Sequence, residues 1–318
     1  MRRTVKLLLA AFLCAAAGLN LIAFMQARAM THFSDGGART AGAEQLSAFD
    51  KISVLLSGVN IPRPRNGQTP AEWAPAFETH HFQNTDGITL EAWYVAGADD
   101  RPVVALFHGY AASKSALLSV ARVFHELGYY VLLVDFYGSG GSTGSGTTIG
   151  VKEADDVAAT LAYARRAWPS RKVILYGISM GGAALLRAIA VNGARPDAII
   201  VEATFDRLRH TSQNRFRVMG VPLSPLADLL IFWGSVQHGF NFFSHNPVQY
   251  ARAVNCPALI LHGENDQRAT LAQARAVSAA MGRFGRLVSF PGVRHMPIVE
   301  ARPDEWRNAV RQFLASLR

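Results

Sequence analysis

The chain has only two cysteines among 318 residues, Cys14 and Cys256. Cys14 falls inside an N-terminal apolar run, and Cys256 stands before Pro257 at the head of a later apolar segment. They are not placed to pair, so no disulfide framework is expected and the redox compartment stays open. Charge is also scarce, at 17% of residues, and acidic groups number 23 against 32 Lys and Arg. Beyond the first few residues there is no dense Lys/Arg run, and aromatics do not alternate with bases. That argues against a nucleic-acid partner, because the electrostatic footprint is missing. The net charge of +9 reads instead as a basic surface with some charge near a membrane. No His/Cys/Asp cluster has metal-ligand spacing, so no metal is expected. The stretch "GSGGSTGSG" lacks the lysine of a phosphate-binding loop, and no cofactor is expected. Internal repeats and low-complexity tracts are absent.

A long apolar run is present once. It extends from Leu7 to Met25, behind Arg2, Arg3 and Lys6. About 19 residues at 1.5 Å each reach roughly 28 Å, the thickness of a hydrocarbon core. Residues 1–30 therefore read as a single transmembrane helix with its basic end cytoplasmic. The rest of the chain would lie on the extracytoplasmic side of a bacterial inner membrane. The alternative is a signal peptide cut near Ala27-Arg28-Ala29, which would release a secreted or periplasmic protein. No lipobox precedes Cys14.

Residues 31–75 read as a tether, rich in Gly, Ala and Ser, with the Pro-rich "NIPRPRNGQTP". Within it, Leu46, Phe49, Ile52, Val54, Leu55 and Leu56 predict a short amphipathic helix, packed on the domain or lying at a bilayer surface. From residue 76 the rhythm changes. "ETHHFQNTDGITLEAWYV" alternates about Asp86-Gly87 and predicts a β-hairpin. Six apolar runs of strand length follow: "VVALF", "YVLLV", "VILYG", "AIIVE", "ALILH" and "LVSF". Helical patterns separate most of them. Continuous apolar strands alternating with helices predict an α/β fold, with a mostly parallel sheet covered on both faces. Residues 207–250 break the rhythm with Phe216, Phe232, Trp233, Phe240, Phe242 and Phe243. They read as a small helical lid over the C-terminal edge of the sheet.

One site stands out. In "LYGISMGGAALL", Ser179 follows a strand directly and precedes an Ala-rich helix. A nucleophile on so sharp a turn needs small residues two positions away on either side, and Gly177, Gly181 and Gly182 supply them. A serine also needs a base and a group to orient that base. Asp266, in "ALILHGEND", and His295, in "LVSFPGVRH", both follow late strands, so both would sit in loops at the sheet edge that carries Ser179. Glu264 is a rival acid and His108 a weaker second base. His262 lies within a strand and reads as structural. His80, His81, His125, His210, His238 and His245 read as surface or lid residues. The third requirement is an oxyanion hole. The backbone N–H of Met180, opening the helix, would supply one donor, and that of Tyr110, after "VVALFHG", the other. Asp135 reads as a loop-stabilising acid, Asp155 and Asp156 as first-turn helix acids, and Asp206 as a residue of the site rim.

The His-Gly loop, the Gly-Xaa-Ser-Xaa-Gly elbow and the late Asp and His resemble the α/β-hydrolase superfamily over residues 77–318. The "DFYGSGGSTG" loop followed by "TTIGVKEADDV" is similar to its Bem46-like or serine aminopeptidase S33-like branch, whose members often join a membrane anchor to a small-lidded hydrolase. The resemblance implies an α/β-hydrolase fold over 76–318, with nucleophile, acid and base at Ser179, Asp266 and His295. It implies oxyanion donors at Tyr110 and Met180. The family often has a proline soon after the acid, which "ENDQRAT" lacks. The expected activity is serine hydrolysis of a carboxylic ester, thioester or amide in a small-molecule acyl substrate. The alternative is a non-catalytic membrane-tethered binding protein on the same fold. Halide release is disfavoured, since that chemistry puts a carboxylate at the elbow. The oligomeric state is not readable.

Overall fold

The computed structural model describes residues 2–317. Eight strands form one sheet: β1 (Glu78–Gln83), β2 (Thr89–Val95), β3 (Val103–Phe107), β4 (Tyr130–Val134), β5 (Val173–Ile178), β6 (Ala198–Glu202), β7 (Ala258–Gly263) and β8 (Gly285–Phe290). Their spatial order is β1-β2-β4-β3-β5-β6-β7-β8. β1 and β2 pair antiparallel as the hairpin about Asp86-Gly87, and β2 pairs antiparallel with β4. Every other neighbouring pair is parallel. The six apolar runs coincide with β3 to β8, with bounds shifted by at most two residues. Both faces are covered, which is why those runs are continuous rather than alternating. In β3, Val103, Ala105 and Phe107 enter one core cluster while Val104 and Leu106 enter the other. Burying each such aliphatic side chain contributes roughly 1.5–3 kcal/mol.

The helices are α1 (Arg2–Thr31), α2 (Ala48–Ser57), α3 (Leu118–Glu126), α4 (Glu153–Ala167), α5 (Met180–Val191), α6 (Leu208–Met219), α7 (Leu226–His238), α8 (Pro247–Tyr250), α9 (Leu271–Ala280), α10 (Ile298–Ala301) and α11 (Pro303–Ala315). Local chemistry sets several ends. Glu153, Asp155 and Asp156 occupy the first turn of α4, where the helix dipole favours the charge of Asp155. Thr270 and Gln273 form a capping box on α9. Gly239 closes α7 at φ 64°, a left-handed conformation that costs a glycine little.

α1 is long and apolar enough to cross a membrane. Its N-terminal half is exposed, while Ala23, Ala27 and Thr31 are buried. Its C-terminal half packs on α7: Trp233 Nε1 donates to Asn20 at 3.1 Å, Gln237 to the Phe24 carbonyl at 2.8 Å, and the Phe24 and Trp233 rings meet edge to face. α6, α7 and α8 occupy the region expected to form the lid.

The segment that reads as a tether lies against the domain. Phe33 and Ile61 are buried with Ala111. Arg63 donates to the carbonyls of Gly140, Ser142 and Gly144, at 3.1, 2.6 and 3.1 Å. The Gly-rich loop has few side chains of its own, so its carbonyls are open to this guanidinium. The amphipathic helix is α2. Gln26 of α1 donates to the Leu55 carbonyl at 3.0 Å, and Phe49, Ile52 and Leu56 face outward.

Candidate active site

Ser179 is the one residue between β5 and α5, with φ 52° and ψ −113°. A non-glycine residue there is strained, and three close packings hold it. A Cβ on Gly177 would come within 2.6 Å of Gly181, and one on Gly181 within 2.4 Å of the Phe107 carbonyl. One on Gly182 would lie 2.0 Å from the Thr204 hydroxyl. The Ser179 N–H donates to the Glu202 carbonyl at 2.8 Å, and Thr204 Oγ1 donates to the Ser179 carbonyl at 3.1 Å. The turn is thus pinned to the end of β6.

Ser179 Oγ lies 3.2 Å from His295 Nε2, and His295 Nδ1 lies 2.7 Å from Asp266 Oδ2. With Nδ1–H donating to the carboxylate, Nε2 is left as the acceptor for the serine proton. Asp266 is buried. Its other oxygen accepts from the Arg268 and Ala269 N–H groups, at 2.8 and 2.9 Å. These donors shape the "ENDQRAT" loop, and a proline at either position would remove one. Gly263 lets the chain before His295 approach β7: a Cβ there would sit 2.5 Å from the Val293 carbonyl, two residues before His295.

The rivals lie elsewhere. Glu264 accepts from Ser289 Oγ at 2.7 Å and does not meet His295. His262 is buried with Nε2 2.7 Å from the Ala269 carbonyl, and burial lowers its pKa. His108 is also buried; its Nε2 accepts from the Phe136 N–H at 3.1 Å, so it holds a loop rather than facing the serine. His245, expected as a surface or lid residue, lies in the lid region yet is fully buried, with Nε2 3.1 Å from the Ile149 carbonyl. Burial pushes its pKa down to about 3. Asp206 meets His210 Nδ1 at 2.8 Å. Asp135 is a buried loop anchor: it pairs with Lys114 and accepts from the Lys114 and Gly141 N–H groups at 2.7 and 2.9 Å.

Among the described residues, no hydrogen bond engages the backbone N–H of Tyr110 or Met180. Met180 opens α5, so its N–H also carries the positive end of the helix dipole. The Tyr110 hydroxyl donates to the Met30 carbonyl of α1 at 2.5 Å, and burial pushes its pKa up to about 12. Ser179, Tyr110, Met180 and His295 line one cavity of about 760 Å³. Its walls include Met30 and Thr31 of α1, Ile61 of the packed segment, and Ile231 of α7. Among the described residues, no three His, Cys, Asp or Glu side chains gather as a metal would need.

Three contributors gave little sign of themselves. Glu202 is buried and accepts from the Ile298 N–H, Trp306 Nε1 and the Tyr176 hydroxyl at 2.8, 2.7 and 3.0 Å, and so braces the chain just after His295. Its one signal was a carboxylate ending the apolar run "AIIVE". Lys114 is fully buried between Glu91 and Asp135. Arg215, in α6, lines the cavity.

The sequence profile of the hydrolase family described as Serine aminopeptidase, S33, matches residues 98–252. Protein bem46 of Schizosaccharomyces pombe is 27% identical over 226 residues, covering 70% of this chain and 71% of that protein. Lysophosphatidylserine lipase ABHD12 of Danio rerio is 26% identical over 239 residues, 67% of this chain and 61% of the lipase. The structure of the Pyrococcus furiosus esterase Pf2001 superposes with a TM-score of 0.67 at 21% identity, over 81% of this chain and 97% of the esterase. The chain thus has the fold of the Pyrococcus furiosus esterase and is similar in sequence to the serine aminopeptidase S33 family over residues 98–252 and to bem46 and ABHD12 more widely.

Proposed function

We propose that the protein is a serine hydrolase that cleaves an acyl substrate, foremost a carboxylic ester, through an acyl-enzyme. Ser179 Oγ attacks the acyl carbon as its proton passes to His295 Nε2. Asp266 holds the imidazole by Nδ1–H and stabilises the imidazolium. The tetrahedral oxyanion accepts from the backbone N–H groups of Tyr110 and Met180, which need no rearrangement to receive it. His295 then gives its proton to the leaving alcohol. Water, deprotonated by the same nitrogen, releases the acid and restores Ser179.

The observation that carries this reading is the relay of 3.2 and 2.7 Å from Ser179 through His295 to Asp266. Thioester and amide cleavage share the same steps. The names of an esterase and a lysophosphatidylserine lipase among the similar proteins favour the ester. α1 acts as an uncleaved single-pass anchor with the hydrolase domain, residues 76–318, on the extracytoplasmic side. The exposed Phe49, Ile52 and Leu56 of α2 fit contact with the bilayer surface.

Replacement of Ser179 by alanine tests the reading. Turnover of a short p-nitrophenyl ester falls by on the order of 10⁴-fold or more. A fluorophosphonate probe labels the wild type at Ser179 and leaves the variant unlabelled. A purified variant that retains activity overturns the reading, and a wild type that neither turns over ester nor takes the probe leaves a binding protein.

A further inference from the structure

Arg39, Arg215 and Arg268 all line the cavity that holds Ser179. Two are occupied. Arg268 binds Glu44 through two hydrogen bonds of 2.8 Å each, and that guanidinium holds the Glu44 pKa down to about 2. Arg39 donates to the Ala111 carbonyl at 2.8 Å. Arg215 differs. It is half-buried, and among the described residues its guanidinium makes no hydrogen bond or ion pair. Glu44, a nearby carboxylate, is already held by Arg268. Burial lowers the Arg215 pKa, and its arginine neighbours push the same way. An arginine nonetheless stays charged at neutral pH. A desolvated cation without a counter-ion is costly, and a planar guanidinium is shaped to take a carboxylate or phosphate by two parallel hydrogen bonds. Arg215 shares its cavity with Ser179 and Tyr110.

The same arginine lines a second, smaller space of about 70 Å³. Leu19 and Ile22 of α1, Leu46, Leu55 of α2 and Leu230 of α7 surround it. Met30, Val59 and Leu230 line both spaces, so apolar wall continues from the serine toward α1. The walls thus offer a lone cation beside a hydrocarbon surface.

We infer that Arg215 is an anion subsite: the substrate is an ester that also carries a carboxylate or phosphate, and Arg215 binds that group in the cavity that holds Ser179. The inference rests on the serine-hydrolase reading and names the class of ester it acts on. Two sources share this chemistry, a single-chain lipid with an anionic headgroup and a short water-soluble anionic ester.

The test uses the full chain in detergent micelles, with acyl-glycerol, acyl-glycerate and acyl-glycerol phosphate, each carrying a two-carbon or an eight-carbon acyl group. The readout is the ratio of kcat/KM for an anionic ester to that for the neutral one. In the wild type the ratio exceeds one. In Arg215→Met it falls by about 10- to 100-fold, the size of a lost charge-assisted pair, and Arg215→Lys retains part of it. The melting temperature of each variant shows whether it is folded, and a ratio is insensitive to how much of it is active. A preference confined to the eight-carbon series identifies a lipid headgroup, and one in both series identifies a soluble ester. A wild-type ratio near one, or a ratio unmoved by Arg215→Met, overturns the subsite while neutral-ester turnover leaves the triad standing. Turnover of every ester that survives Ser179→Ala overturns the hydrolase reading instead.

Discussion

Asp266 places its two oxygens on different tasks: Oδ2 faces His295 Nδ1, and Oδ1 closes the loop through Arg268 and Ala269. Asparagine keeps the loop-closing acceptor and puts an amide opposite the imidazole. The His295 tautomer is then no longer fixed with Nε2 free for the serine. On the proposed mechanism, Asp266→Asn lowers kcat on a p-nitrophenyl ester by about 10³- to 10⁴-fold while the protein stays folded by circular dichroism. A loss below tenfold argues against that role. These residues were legible because each stands just past an apolar run, and the ends of parallel strands meet at one edge. Arg215 was not. In "LRHTSQNRFRVM" it reads as one more charge on a solvated helix face. Only the fold of α6 over the sheet edge turns it inward. The burial of His245 within the lid region was not legible either, since nothing local distinguishes a buried lid histidine from an exposed one.

Among the elements, α4 is tied to the β1–β2 turn and to the loop after β4 by Asp156. Asp156 accepts from the Asn84 amide of the β1–β2 turn at 2.7 Å and from the Tyr137 N–H at 3.0 Å. Burial, the largest influence, raises its pKa to about 8, while those hydrogen bonds pull it down. Unfolded, the group titrates near the ordinary aspartate value, about 3.9. Between those two pH values the folded protein holds a proton the unfolded chain has released. Asp156 therefore favours the fold fully below about pH 4, and stability declines as pH rises toward 8, by at most about 1.4 kcal/mol per pH unit. Glu202, raised by burial as well, slopes the same way. Asp156→Asn flattens the fall in melting temperature between pH 5 and pH 8, read by scanning fluorimetry at several pH values. Parallel profiles for the two proteins would discount the shift. The sequence predicted Asp156 in the first turn of a helix, which it is. Its burial beneath a hairpin 72 residues upstream is a long-range pairing that no local pattern encodes.

At the scale of the molecule, α1 is both an apolar rod and part of the folded α/β domain's cavity wall. It meets α7 through Asn20–Trp233 and Phe24–Gln237, and it supplies Ala27, Met30 and Thr31 to the cavity wall. A chain lacking residues 2–31 loses those contacts and leaves the cavity open on one side. Its melting temperature drops by several degrees, at about 2–4 °C per kcal/mol for a chain of this size. The ratio of eight-carbon to two-carbon ester turnover in detergent also shifts. Equal melting temperatures and equal ratios would show that the wall is dispensable. The apolar run was plain in the sequence. That its last turns wall the site was not, because the intervening Gly- and Pro-rich stretch reads as slack when Arg63 and Phe33 in fact bind it down.

The bond from the Tyr110 hydroxyl to the Met30 carbonyl has a consequence for kinetics. Met30 lies five residues beyond Met25, where the apolar run ends, a rise of roughly 8 Å along the helix. In an anchored chain the chamber that holds Ser179 therefore sits at the bilayer surface, with α7 reaching Asn20 and Phe24 inside the apolar run. A lipid ester would reach it by lateral diffusion and a short vertical step, never dissolving in bulk water. Its effective concentration is then a mole fraction in the membrane. Diluting such a substrate with inert lipid would slow the enzyme even when the total molarity is unchanged.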